Sequence, residues 1–476
     1  MQRSILLLAL VACLLAAPAV NAQTRQWTDV SGEFSLRAKL ISVENGAVKL
    51  QKPDGRTLTV PLNKLSQADR DFLSRTREEP AAADDWRTWR GPLSNGVAVE
   101  QTPPTQWSDS ENVIWKTEVP GRGHSSPIVV GDQVILTTAV DADKSQQVLS
   151  YDRNTGKLRW RRSLHQNGFQ RQIHAKNTQA TPTAGSNGQQ IFVVFPHNDA
   201  IQLTALDLQG QPQWSKTVGP YRPQKYKFGY AASPLLYKNL VIVSVEFDDD
   251  RNSAITAFAQ SDGKQVWRAP RPRQITFSSP IVGRTGGRDQ LLISGAKQVS
   301  SYDPNTGKPL WSCEGTTDAT CGTLIWSDQV VFASGGYPKK ETIAVASDGS
   351  RRVVWKNGEK CYEQSMLHHD GHIYAVNDGG VAMCWDAQSG RTLWKQRLAG
   401  PVSASPILAG GHIYFVNERG QMFVFKASPQ SYQQVARFSI GDEGFATPAF
   451  CGDQIFLRTA RGGGGSRQEF LVCIGK

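Results

Sequence analysis

Apolar and polar residues alternate singly in the first part of the chain, at Trp27, Phe34, Leu36, Ala38 and Leu40, then Val48 and Leu50, then Leu58, Val60 and Leu62. A period of two is the pattern of strands with one buried face. Glu44-Asn45-Gly46 and Pro53-Asp54-Gly55 punctuate the runs as turns, so residues 24–75 are expected to form a meander of short strands of SH3-like size. Ser66-Gln67-Ala68-Asp69 then supplies a helix N-cap and an acidic first turn ahead of Phe72 and Leu73. Residues 76–85 are charged, small and proline-containing, the composition of a linker.

From residue 86 onward the pattern becomes a repeat. An apolar strand leads to a turn rich in Asp, Asn, Gly and Lys and then to a tryptophan strand, as in Tyr151-Asp152-Arg153-Asn154-Thr155-Gly156-Lys157-Leu158-Arg159-Trp160 and the copy from Tyr302 to Trp311. Weaker copies end at Trp214, Trp267, Trp355 and Trp394. Small-residue starts precede them: Ser125-Ser126-Pro127, Thr181-Pro182-Thr183, Ser233-Pro234, Ser278-Ser279-Pro280, Ser405-Pro406 and Thr447-Pro448, with degenerate ones at Gly322-Thr323 and Ser365-Met366. A spacing of roughly 40 to 54 residues is that of a four-stranded propeller blade, and the starts number about eight. Val113-Ile114-Trp115-Lys116 has a tryptophan strand without a start, and Phe470-Leu471-Val472-Cys473 ends the chain without one, so these two segments are expected to share the closing blade. The fold class is therefore all-β, an eight-bladed propeller over residues 86–476 behind a small SH3-like barrel. Trp115, Trp160, Trp214, Trp267, Trp311, Trp355 and Trp394 are assigned to blade docking, filling the gap between neighbouring sheets beside a positive-φ glycine.

Two resemblances rest on these residues. Trp27-Thr28-Asp29, Gly32-Glu33-Phe34-Ser35, Asp54-Gly55-Arg56 and the run from Val60 to Ser66 resemble the SHD1 type of SH3-like homology domain, which implies a peptide-binding module or a structural spacer. The repeat resembles the quinoprotein-type (PQQ-like repeat) propeller family, which includes quinone-dependent alcohol dehydrogenases and the propeller lipoprotein of outer-membrane barrel assembly. The docking tract is shared by members with and without quinone. The dehydrogenases would imply an axial quinone, a disulfide between adjacent cysteines, calcium held by Glu and Asn, and an Asp base; this chain has no adjacent cysteines. No cofactor is therefore predicted, with PQQ and calcium kept as the alternative.

Propellers bind at the mouth of the central channel, so the loops feeding the innermost strands carry the candidate site. Arg122, His124, His174, Lys176, Asn177, Lys227, Tyr230 and Arg273 are expected to converge there in a cationic, hydrogen-bonding funnel suited to a carboxylate, a sugar acid or an acidic peptide, or else to line a water-filled channel. His368-His369-Asp370-Gly371-His372 falls at a turn and is assigned no metal, Gly462–Gly465 is a hairpin tip, and no nucleophile motif appears.

Composition adds the compartment. Arg3, the apolar run from Ile5 to Ala17 and Val20-Asn21-Ala22 make residues 1–22 an export signal, with Leu10-Val11-Ala12-Cys13 as an alternative lipid-anchoring site at Cys13. No later segment is apolar enough to span a bilayer. Of the other cysteines, Cys451 and Cys473 are the preferred disulfide, the alternative being buried free thiols. A net charge of +11 is dispersed, which together with export argues against nucleic acid and for weak affinity to anionic polymers. The expected function is a non-enzymatic periplasmic or outer-envelope scaffold that binds envelope proteins or extended peptides. A quinone-dependent periplasmic oxidoreductase and a propeller that binds polysaccharide, including anionic glycans, are the alternatives.

Overall fold

The computed structural model describes residues 24–44, 47–70, 85–98, 100–108, 111–249, 251–273, 275–295, 297–463 and 466–475. The expected export signal with Cys13, Asn45-Gly46, Phe72 and Leu73, the linker up to residue 84, and Gly464-Gly465 lie outside them. The chain divides into two compact units, Met1–Glu79 and Pro80–Lys476.

In the first unit, strands Thr24–Thr28, Ser35–Glu44, Ala47–Gln51 and Thr57–Pro61 pair in sequence order as an antiparallel meander. Trp27, Ala38, Leu40, Val48, Leu50 and Leu65 form its core, with the Trp27 indole donating to the Ala38 carbonyl at 3.1 Å. Ser66 caps the helical turn by accepting the Asp69 N–H at 3.1 Å, and the buried Asp69 carboxylate in turn accepts the Thr28 N–H at 2.6 Å. Phe34 departs from the expected alternation and is 72% exposed. It ends the turn from Asp29, whose carboxylate accepts the Phe34 N–H, and the strand begins only at Ser35.

The second unit is a ring of eight antiparallel blades. Blade 1 comprises Ile128–Val130, Gln133–Val140, Ser145–Asp152 and Leu158–Gln166, paired in that order from the axis to the rim, and the next six follow the same plan. Blade 8 takes Ala449–Cys451, Gln454–Arg461 and Gln468–Ile474 from the end of the chain and Val113–Val119 from the start of the propeller, so the ring closes by pairing its two ends. Each sheet is sandwiched between two others, which is why middle strands such as Leu240–Val245 are buried on both faces and read as continuous apolar runs.

The tryptophans lie in the seams. The Trp115 indole of blade 8 donates to the Arg153 carbonyl of blade 1, and Trp160, Trp214, Trp355 and Trp394 donate to Leu208, Gln260, Ala387 and Ser428 of their following blades, at 2.8 to 2.9 Å. Trp267 reaches Pro304 at 3.2 Å. Under the rings of Trp115, Trp160, Trp214, Trp267 and Trp355 lies the turn glycine of the following blade: a Cβ on Gly156, with φ +67°, would come 2.5 Å from Trp115. Trp311 differs, donating to the Gln290 side chain of its own blade.

No disulfide joins the six described cysteines, so the expected Cys451–Cys473 disulfide is absent. Cys451 lies on the innermost strand of blade 8 and Cys473 on the third, with Gln454–Arg461 between them. Two strand spacings are about 9.5 Å, beyond the roughly 7 Å that a disulfide spans between Cα atoms.

Candidate functional site

Each blade begins with a hydroxyl residue, and these hydroxyls make a belt around the axis. The Ser126 N–H donates to Thr183 Oγ1, Thr183 to Ser233, Ser233 to Ser279, Thr323 to Ser365, Ser365 to Ser405 and Ser405 to Thr447, at 2.9 to 3.0 Å. The small-residue starts therefore exist because a short hydroxyl side chain satisfies the backbone of the preceding blade at a place too narrow for larger groups.

Beyond the belt, the segment from Asp85 to Ala98 crosses the channel. Trp86 pairs with the inner edge of Val129 in blade 1, the Arg87 carbonyl accepts the Ser186 N–H of blade 2, the Arg90 guanidinium donates to the Met366 carbonyl of blade 6, and Val97–Ala98 adds a parallel strand to Leu408–Ala409 of blade 7. Arg90 is fully buried with no carboxylate partner, and desolvation lowers its pKa to about 9. Sequence reasoning missed this plug because it belongs to no repeat and its partners are scattered over the ring.

Between plug and mouth is a cavity of about 380 Å³. Trp89 of the plug and the belt hydroxyls of Ser126, Thr183, Ser233, Ser279, Ser405 and Thr447 line its deep part. The loops before the inner strands supply the rest: His124, His174, Lys176 and Asn177 on one side, and Phe228, Phe277, Cys321 and Tyr362 on the other, with Tyr337 from a hairpin of blade 5. Phe228 packs on Phe277 with ring centroids 5.5 Å apart, and Tyr226 stands edge-on to Tyr337 at 5.6 Å.

Of the residues expected at the mouth, His124, His174, Lys176 and Asn177 line this cavity, and four do not. Arg122 sits beside it, its guanidinium 3.4 Å from the Ala175 carbonyl. Lys227 is exposed, and so is Arg273, which donates to the Asp248 carbonyl. Tyr230 is buried in blade 3 with its hydroxyl on the Ser244 carbonyl, and burial raises its pKa well above the ordinary value. One residue after a glycine turn, its side chain faces the sheet core instead of the axis.

The expected cationic funnel is replaced by a balanced cluster. Lys176 Nζ donates to Glu418 Oε1 at 2.6 Å and lies 3.9 Å from Glu363. Burial opposes its charge, yet the Glu418 bond and the Glu363, Glu418 and Asp378 charges outweigh that and raise its pKa. Ser403 Oγ touches both Glu363 and Glu418. One hydroxyl proton serves one carboxylate at a time, and burial pushes the Glu363 carboxyl above its usual range. Glu363 lies in a mouth loop visible in the sequence; Glu418, in a blade 7 hairpin 242 residues from Lys176, carries no local signal. His124 stacks on Phe445 with centroids 4.4 Å apart, and desolvation, with the Arg122, Arg458 and Arg467 charges, lowers its pKa well below 6.5, so the imidazole is neutral.

The Glu363 and Glu418 carboxylates touch Ser403 and face the Lys176 ammonium, and among the described residues no three His, Cys, Asp or Glu side chains are grouped to hold a metal ion. His368, His369 and His372 flank a hairpin turn of blade 6, where His369 pairs with Asp370.

Residues 97–244, 224–377 and 339–462 match the family described as outer membrane protein assembly factor BamB, and residues 16–81 match SLA1 homology domain 1, SHD1. The outer membrane protein assembly factor BamB of Yersinia pestis is 23% identical over 397 residues, covering 77% of this chain and 91% of its own length. That of Burkholderia pseudomallei is 23% identical over 384 residues, covering 76% and 90%. Among solved structures, BamB from Moraxella catarrhalis aligns with a TM-score of 0.55 at 16% identity, over 76% of this chain and 97% of its own. A europium-containing methanol dehydrogenase aligns with a TM-score of 0.62 at 11% identity, over 85% and 100%. Likeness at such identities is one of fold, shared by a dehydrogenase and an assembly factor alike.

Proposed function

The chain belongs to the outer membrane protein assembly factor BamB family, and from that membership we propose that it is an exported, non-enzymatic scaffold of the cell envelope that binds other envelope proteins through extended segments. One observation carries this reading. Among the described residues the outermost strand of each blade has an unpaired edge, and at the start of four of these strands a large apolar side chain faces water: Ile114, Leu158, Val266 and Val353, at 44, 49, 52 and 37% exposure. An open strand edge beside apolar side chains accepts an incoming strand by main-chain hydrogen bonds, with the side chains selecting among sequences. The SH3-like unit supplies a second contact on the same chain, so two weak attachments reinforce each other.

Photo-crosslinking of the mature chain in intact envelopes tests the proposal. A photoreactive residue at position 158, 266 or 353 should capture defined envelope proteins, and Val266→Lys combined with Leu158→Lys should abolish that capture. Crosslinks only from the channel mouth, or none from the rim, would overturn it.

A further inference from the structure

We propose that the axial cavity is a binding site for a neutral saccharide, held between the belt of serine and threonine hydroxyls and a wall of aromatic rings. The belt is a set of unspent donors. Thr183, Ser233, Ser279, Ser405 and Thr447 line the cavity and are each more than nine-tenths buried. Each oxygen accepts one backbone N–H, from Ser126, Thr183, Ser233, Ser365 and Ser405 respectively, and none gives its proton to an acceptor among the described residues. A hydroxyl so placed retains one proton and one lone pair, the pairing that a sugar hydroxyl matches from its own side. His124 adds a further open group: its Nε2 is buried in the lining without a partner.

Charge and shape narrow the ligand. The Lys176 ammonium is occupied by Glu418 and shadowed by Glu363, so an anion would meet two carboxylates and find no free cation in the described lining. An amine would compete with Lys176 for carboxylates already bonded to Ser403. A neutral ligand meets neither cost. Opposite the polar side, Phe228, Phe277, Tyr337 and Tyr362 present ring faces and edges of the kind on which the C–H faces of a pyranose pack. The cavity volume, about 380 Å³, lies at the small end of ligand pockets, about 300–1,000 Å³, which suits a short saccharide.

Calorimetric titration of the mature full-length chain with glucose, N-acetylglucosamine and maltose, against glucuronate and glucosamine, reads this directly. At least one neutral sugar should bind saturably and more tightly than its charged counterpart. Ala231→Phe, which places a ring in the cavity, should abolish the binding, and Tyr337→Ala, at a half-exposed position, should weaken it about tenfold. Melting temperatures of the unliganded variants check that both remain folded. Tighter binding of glucuronate or glucosamine, no binding of any neutral sugar, or neutral-sugar binding unchanged in both variants would overturn the proposal.

Discussion

At the end of the ring where each third strand turns into the fourth, one contact recurs from blade to blade: an indole donates to a backbone carbonyl of the next blade and covers that blade's turn glycine. At the mouth, each approaching loop contributes something else, His124 before blade 1, Lys176 before blade 2, Phe228 before blade 3, Phe277 before blade 4, Glu363 before blade 6 and Ser403 before blade 7. Repetition holds the ring; variety shapes the cavity. The seam between blades 4 and 5 interrupts the repetition. There Gln290, fully buried, accepts the Trp311 indole at 2.8 Å and the Ser301 hydroxyl at 2.6 Å, while its amide donates to the Thr285 carbonyl and, across the seam, to the Ser347 carbonyl of blade 5.

The largest effect is therefore expected at that exception. Gln290→Leu keeps the volume but leaves the Trp311 N–H, the Ser301 hydroxyl and two carbonyls buried without their partner, costing about 4 kcal/mol. Urea unfolding monitored by tryptophan fluorescence measures it, and a loss below about 1 kcal/mol would mean that the seam does not depend on the glutamine relay. Next comes a regular seam. At Gly307, φ +70°, a Cβ would lie 2.4 Å from Trp267 Cε3, so Gly307→Ala combines a left-handed backbone with a clash against a packed indole, about 3 kcal/mol by the same measurement.

The difference between the two ends also explains what could be read from the sequence. The seam was legible because its Gly-x-x-x-Trp tract recurs at fixed spacing, and the closing blade because its two halves carry the missing parts of one repeat unit. The small-residue starts were visible too, although their hydrogen-bonded belt needed the geometry of the ring. The mouth is not periodic. Lys176 and His124 could be named from their place before an inner strand, but Glu418 neutralises Lys176 from a hairpin in another blade, and Tyr230 turns into its own sheet despite standing in the same kind of loop. The plug was illegible for the same reason: Arg90 meets Met366 across 276 positions of sequence.

A pH titration separates the two ends by a smaller effect. His124 is neutral in the folded chain and protonates near 6.5 once unfolded, so the unfolded state gains protons as pH falls and stability present above 6.5 is lost below it. His124→Phe keeps a ring against Phe445 and removes the titration, so its melting temperature should fall less between pH 7 and pH 5 than that of the parent. Gly307→Ala, a seam change without a titrating group, should shift both pH values equally. An unchanged slope in His124→Phe would show that the mouth does not set the acid sensitivity.

The smallest effect is the sharpest test of the seam. In blade 5 the position that Gly307 holds in blade 4, four residues before the seam tryptophan, is taken by Arg351 at φ +61°, and the turn glycine is Gly349, two residues earlier, whose φ of +90° also lies in the left-handed region. A Cβ on Gly349 would meet only Trp311 Cδ1 at 3.9 Å, an ordinary contact. Gly349→Ala should therefore cost only the backbone penalty, about 1 kcal/mol, and Gly349→Asn less, since asparagine tolerates positive φ. The gap of about 2 kcal/mol between Gly349→Ala and Gly307→Ala is the cost of displacing a docked indole, measured at two positive-φ turn glycines of which only Gly307 lies under a ring. If urea unfolding gave both the same loss, backbone conformation alone would account for the glycines, and the indoles would hold the blades by their hydrogen bonds and buried area without needing the bare Cα beneath them.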